Sequence, residues 1–223
     1  MKQILIMVTA FLIVSCGSNK FMTSSVKPTE ITALNYFKPI SYIHYVEKGN
    51  KTEFSDSLSM ITNFKLDSIL SENRLKLRLA DQIEINDERL EAKVHMELEY
   101  LVNDIHHKKK KGIIGITYTI DSLIQSSNER FALVNVISGF GRRKGNYGGQ
   151  VVKSAAVGLL TLGMYVPNPV KSNLTLYSFI FDSHKNEVAF YNRSKPVEKD
   201  PTDPEIIEKL LISGFDGYLY KGN

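Results

Sequence analysis

The chain has a single cysteine, Cys16, in 223 residues. No disulfide can form within it, and nothing beyond the N-terminal region supplies a thiol for catalysis or thiolate metal binding. Charge of one sign is also scarce. The 28 Lys and Arg against 24 Asp and Glu leave +4, too little to imply nucleic acid as a partner without a clustered patch. No serine sits in a nucleophile elbow and no HExxH pair occurs, which removes the common hydrolase and metalloprotease signatures. Long apolar runs are missing as well. Past the N-terminus, the best candidate is the uncharged stretch Ser154 to Val166, and as a helix it reaches about 20 Å, short of a hydrocarbon core of roughly 30 Å. Nor does AVGLLTLGM alternate as a barrel strand must. What is present is the composition of an ordinary globular domain, 43% apolar and 23% charged, with no internal repeat and no second linker.

The first residues, MKQILIMVTAFLIVSCGSNK, are not fold material. Lys2 gives a short positive region, Ile4 to Val14 an apolar one too short to span a membrane, and Ser15-Cys16 ends it. Small Ser15 before a cysteine resembles the lipobox of bacterial lipoproteins, in which the cysteine is acylated and becomes the new N-terminus. That likeness predicts a signal peptide over residues 1–15, lipidation at Cys16 with membrane attachment through it, a tether over 16–36 rich in Ser, Thr and Lys, and one domain over 37–223. Several acyl chains anchor stably where one does so only marginally. Gly17-Ser18-Asn19-Lys20 has no Asp at the second position and no acidic cluster, which by analogy with sorted lipoproteins favours the periplasmic face of the outer membrane.

Pro39 to Glu47 is aromatic and β-branched, as a strand requires. Ser55 or Asp56 caps a helix to about Ser71. Leu75, Leu77 and Leu79 alternate with Lys76 and Arg78 and read as a half-buried strand. Asn86 opens the clearest helix, whose Leu90, Val94, Leu98, Leu101 and Ile105 make one stripe. A short helix follows from Thr119 or Asp121 to about Ser127. Phe131 to Ile137 is apolar throughout, as a strand covered on both faces is. Gly139 to Gly149 reads as a loop, Asn173–Phe181 and Val188–Asn192 as a hairpin, and Glu205 to about Ser213 as a helix stopped by Gly214. The order, β-α-β-α-(β)-α-β-β-β-α, predicts an α/β (α+β) fold: a single mixed sheet covered by helices.

On a lipobox leader, this succession resembles the envelope lipoproteins whose domain is shared by the curli secretion channel subunit and the N-terminal domain of TolB. The likeness rests on the strand Phe131 to Ile137 running into Gly139, on the hairpin Leu176 to Asp182 and Glu187 to Tyr191, and on the helix that follows. The hairpin is similar to that group's signature of hydrophobic strand, Asp, turn, Glu, hydrophobic strand. The resemblance implies fold, compartment and self-assembly, and it carries no catalytic residues.

Candidate site residues are few. The loop GFGRRKGNYGG fits neither a dinucleotide fingerprint nor a P-loop, because Lys144 and Gly145 stand in the wrong order. Arg142, Arg143 and Lys144 remain candidates for anion binding together with backbone N–H groups. Leu159, Leu160, Leu162, Met164 and Tyr165 are candidates for a partner contact, either in a homo-oligomer or with another envelope protein. His106-His107 reads as a solubilising helix end, and His95 between Glu91 and Glu99 as salt-linked surface. No metal site, cofactor or nucleic-acid partner is expected. The reading is a non-enzymatic envelope lipoprotein serving as an interaction or assembly component. Its alternatives are a subunit of a curli-type secretion channel and an anion- or nucleotide-binding protein using the basic loop.

Overall fold

The computed structural model describes residues 26–108, 113–160 and 170–220, with the side chains of 106–108 and 155–160 outside that description. Cys16, Leu162, Met164 and Tyr165 lie outside it too, and Leu159 and Leu160 enter only through their helical backbone. After a 3₁₀ turn at Pro28–Glu30 come β1 (Leu34–Phe37), β2 (Ile40–Val46), β3 (Glu53–Phe54), α1 (Asp56–Glu72), β4 (Leu79–Ile83), α2 (Glu88–Lys108), α3 (Tyr118–Ser126), β5 (Phe131–Arg142), α4 (Asn146–Leu160), β6 (Asn173–Asp182), β7 (Glu187–Arg193) and α5 (Pro204–Phe215). This is an α/β fold with one mixed sheet.

Strand β5 organises the sheet. Consecutive β1 and β2 lie end to end along one of its edges, both parallel to it, with Tyr36 opposite Leu133 and Ile40 opposite Val136. Its other edge pairs antiparallel with β6, which pairs antiparallel with β7. Strand β4 adds parallel to β1, and β3 antiparallel to β2. A strand with neighbours on both edges and helices on both faces has no polar side to show, which is why FALVNVI lacks alternation and is buried throughout.

Side-chain alternation sorts the core into two layers. Leu133 and Ile137 of β5, Leu174, Leu176 and Ile180 of β6 and Phe190 of β7 pack under α1 and α5, against Leu66, Leu70, Ile207, Leu211 and Phe215. Val134, Val136, Phe179 and Phe181 pack under α2 and α3, against Val94, Leu98, Leu101, Ile120 and Ile124. The expected stripe of α2 is therefore the face it buries. Ser55 caps α1 by accepting from Leu58 N, and Asp203 caps α5 by accepting from Glu205 N and Ile206 N.

Five expectations need correction. Leu75 to Leu79 is not a strand: residues 73–78 form successive turns, Arg78 takes a positive φ of 57°, and pairing begins only at Leu79. Leu77 still reaches the core, while Leu75 is 95% exposed. Asp87, not Asn86, caps α2, its carboxylate accepting from Arg89 N and Leu90 N. Gly139 to Gly149 is mostly not a loop: residues 139–142 end β5, 146–149 begin α4, and only 143–145 lie between them, so Gly139 is a strand residue. It pairs with Leu174 inside the sheet, where a Cβ would lie 2.1 Å from Asn173 O. Gly214 does not stop α5 but sits within it, where a Cβ would come 2.7 Å from the amide of buried Asn192. Each glycine marks a close approach of two elements rather than a break. The sheet also starts earlier than the tether reading anticipates, because Leu34–Phe37 pairs on both sides and Val26 and Ile31 are buried.

The sheet edges are blunted, as stable monomeric sheets require. Ser55 N and Ser59 Oγ bond the outer backbone of Ile43. The Arg74 guanidinium donates to the carbonyls of Leu79 and Ala80 on β4. Ile114 O and Ile116 N bond Val188 N and Asn186 O where β7 begins.

Candidate functional site

The α2/α3 layer covers only part of its face of the sheet. Where β2, β5 and β6 run on past it, a groove of about 390 Å³ opens between the sheet and the C-terminal half of α2. Tyr42 and His44 of β2, Phe54 of β3, Val136 and Ser138 of β5, Tyr177 of β6, and Glu99, Val102 and Asn103 of α2 line it. Tyr42 and His44 occupy core-facing positions of β2, two residues apart. The strand is long enough to outrun the helix above it, so its inward side chains there are aromatic and amphipathic rather than aliphatic. His44 meets Phe54 edge-on, ring centroids 5.9 Å apart. The Arg193 guanidinium stands 5.7 Å from the Tyr177 ring. Burial, and secondarily the Glu99 carboxylate, push the Tyr42 phenol above its ordinary range. The groove thus combines aromatic walls, two of them tyrosines, with the Glu99 carboxylate, the Asn103 amide and the Ser138 hydroxyl, and among the described residues its lining contains no lysine or arginine. Such a surface suits uncharged or cationic ring-bearing groups.

None of these residues stood out in the sequence. The only signal was that Tyr42 and His44 sit where a fully covered strand would carry aliphatic side chains.

The basic loop is bonded back onto the fold. Arg142 Nη1 donates to Gly49 O at 2.6 Å and Nη2 to Asn50 Oδ1 at 3.2 Å, while Arg143 Nη1 approaches Glu47 Oε1 at 3.3 Å. Asn146 adds two further bonds to the Gly49 backbone. Arg142 and Arg143 therefore tie the start of α4 to the β2–β3 turn, and Lys144 lies exposed beside them.

Asp and Glu of the hairpin signature have a plain structural job. Asp182 is fully buried and accepts from Arg130 Nε at 2.8 Å and Nη2 at 2.6 Å, and from the backbone N of His184. Glu187, paired opposite Asp182, and Glu30, 3.7 Å from Arg130, complete an acidic surround. The Asp182 hydrogen bonds raise the Arg130 pKa above its already high ordinary value. A second polar set crosses the α1/α5 layer, where Ser178 Oγ donates to Asn135 Oδ1 at 2.7 Å and Asn192 lies opposite Ser178.

His95 lines a smaller cavity of about 130 Å³ with Lys38, Glu84 and Glu91, its Nε2 4.0 Å from Glu91 Oε1. Among the described residues no group of three or more His, Cys, Asp or Glu is arranged to hold a metal ion. No described helix is long and apolar enough to cross a membrane.

No family model matches the chain, and no curated protein does. Among solved structures it is similar to a PelC variant dodecamer from Paraburkholderia phytofirmans, at 8% identity and a TM-score of 0.32, covering 85% of this chain and 93% of that one. A likeness at that level carries no argument about function.

Proposed function

We propose that this chain is a non-enzymatic envelope lipoprotein, held at the periplasmic face of the outer membrane by acylated Cys16 and acting as an interaction or assembly component. The observation that carries the reading is the leader: a short positive region, the apolar run Ile4 to Val14 and Ser15-Cys16, with no other cysteine in the chain. The aromatic groove offers a place for a partner's side chains, and the blunted sheet edges turn partners away from strand addition. A homo-oligomer would accordingly form through side-chain surfaces, the apolar stretch Leu159 to Tyr165 among them. Labelled palmitate supplied to cells expressing the full chain tests the reading. Incorporation that is lost in Cys16→Ala, together with release of that variant from the membrane fraction, supports it. An unlabelled wild-type protein, or a Cys16→Ala form that stays on the membrane, overturns it.

A further inference from the structure

If Cys16 is the anchor, only about ten residues separate it from Val26, where the described chain begins. Whatever their conformation, ten residues span no more than about 35 Å. The end of the domain that carries Val26 is thus held close to the bilayer, at high effective concentration.

That end has a definite make-up. Strands β1 and β5 start there and hairpin β6–β7 turns there. Arg130 links Glu30 to Asp182 across it, and Arg78 donates to the carbonyls of Pro28, Ile31 and Leu219. Arg78 thereby fixes the turn Asn73–Arg78 beside the emerging chain. In that turn Leu77 is buried and Leu75 is thrust outward, the most exposed large apolar side chain among the described residues at 95%. Lys76 stands beside it, packed over the Tyr220 ring at 4.8 Å, and exposed Lys27 lies at the same end. Of the acids at this end, Asp182 and Glu30 pair with Arg130. An isolated leucine held out beside a lysine, with its backbone pinned, is poorly suited to water and well suited to a headgroup layer.

We propose that the Asn73–Arg78 turn is a membrane-docking element, Leu75 entering the lipid surface to which Cys16 is anchored, with Lys27 and Lys76 meeting lipid phosphates. The proposal rests on the lipoprotein reading. It gives the domain an orientation. Strand β5 rises about 36 Å from Phe131 to Arg142, so the Arg142–Lys144 loop stands at the far end, away from the bilayer.

The test uses the full, lipidated chain in vesicles of phosphatidylethanolamine and phosphatidylglycerol. Leu75→Cys and Lys51→Cys each introduce one reactive thiol, since acylated Cys16 offers none. Lys51 serves as the distal control, lying near the Gly49–Asn50 turn that Arg142 holds. The labelling rate with a membrane-impermeant maleimide is measured on vesicles and again in detergent-free buffer after the anchor is removed by proteolysis. Docking predicts that the thiol of the Leu75→Cys variant reacts roughly tenfold more slowly on vesicles, while that of the Lys51→Cys variant reacts at one rate in both settings. Equal rates for Leu75→Cys in the two settings, in a protein that incorporates labelled palmitate, overturn the docking proposal and leave the anchor standing. Absence of palmitate overturns both.

Discussion

The two layers of this molecule bury the same sheet differently. Under α1 and α5 the face is closed over β6 and β7: Phe190 stacks on Phe215 and meets Tyr218 at a tilt, and the polar pair Asn135–Ser178 is buried there. Under α2 and α3 the face is closed over Phe37, Ile40, Val134, Phe179 and Phe181, and it opens toward Tyr42 and His44 into the groove. The strands are one set and the helices alone differ in reach. Aromatic residues on the closed side are packing, and chemically similar ones on the open side are surface available to a ligand.

Truncation measures that difference most directly. Phe190→Ala is expected to cost about 3–5 kcal/mol in urea unfolding, since a fully buried ring and two ring contacts are lost and the closed layer cannot collapse to fill the space. Phe54→Ala, at a groove wall that is already 53% exposed, is expected to cost less than about 1 kcal/mol. Equal losses would show that the groove is as tightly packed as the core and would end its candidacy. Next in size is Gly139→Ala. An added Cβ meets a backbone carbonyl, which cannot swing aside, so β5 and β6 must part, for about 2–3 kcal/mol. Asp182→Asn is expected to cost about 2 kcal/mol. The loss is moderated because Arg130 keeps Glu30 and Glu187 nearby and its side chain is 26% exposed.

Much of this architecture is written in single segments. The α2 stripe names its buried face at steps of three and four, and FALVNVI announces a strand covered on both sides, because in each case one packing environment governs the whole segment. The Leu75–Leu77–Leu79 alternation misleads because turns can also throw neighbouring side chains in opposite directions; Arg78 in the left-handed region breaks the strand that the pattern suggests. Gly139 and Gly214 look like punctuation, yet their reason is a neighbour from a distant part of the chain, Asn173 in one case and Asn192 in the other. The groove was illegible for the same cause. It exists where a helix falls short of a strand, and the relative reach of two elements is not a property of either sequence alone. The basic loop was visible, but its bonds to Gly49, Asn50 and Glu47 were not, since they bridge some ninety residues.

The smallest expected effect separates the layers by pH. His95 belongs to α2 and is half-buried beside Phe37 and Val94. Burial lowers its pKa below the ordinary value of 6.5; Glu91 opposes the shift, and Lys38 adds a little to it. The unfolded chain then takes up its proton at higher pH than the folded one. Stability from this site is present above about pH 6.5 and is lost progressively as pH falls through that value toward the lower folded pKa. Unfolding free energies of wild type and His95→Gln, measured from pH 8 downward, should run parallel above about pH 7 and converge or cross below it, with the steeper decline in the wild type. A wild-type curve that rose on acidification relative to the variant would mean that Glu91 outweighs burial. The α2 layer would then be wetter at this end than its packing against Phe37 implies.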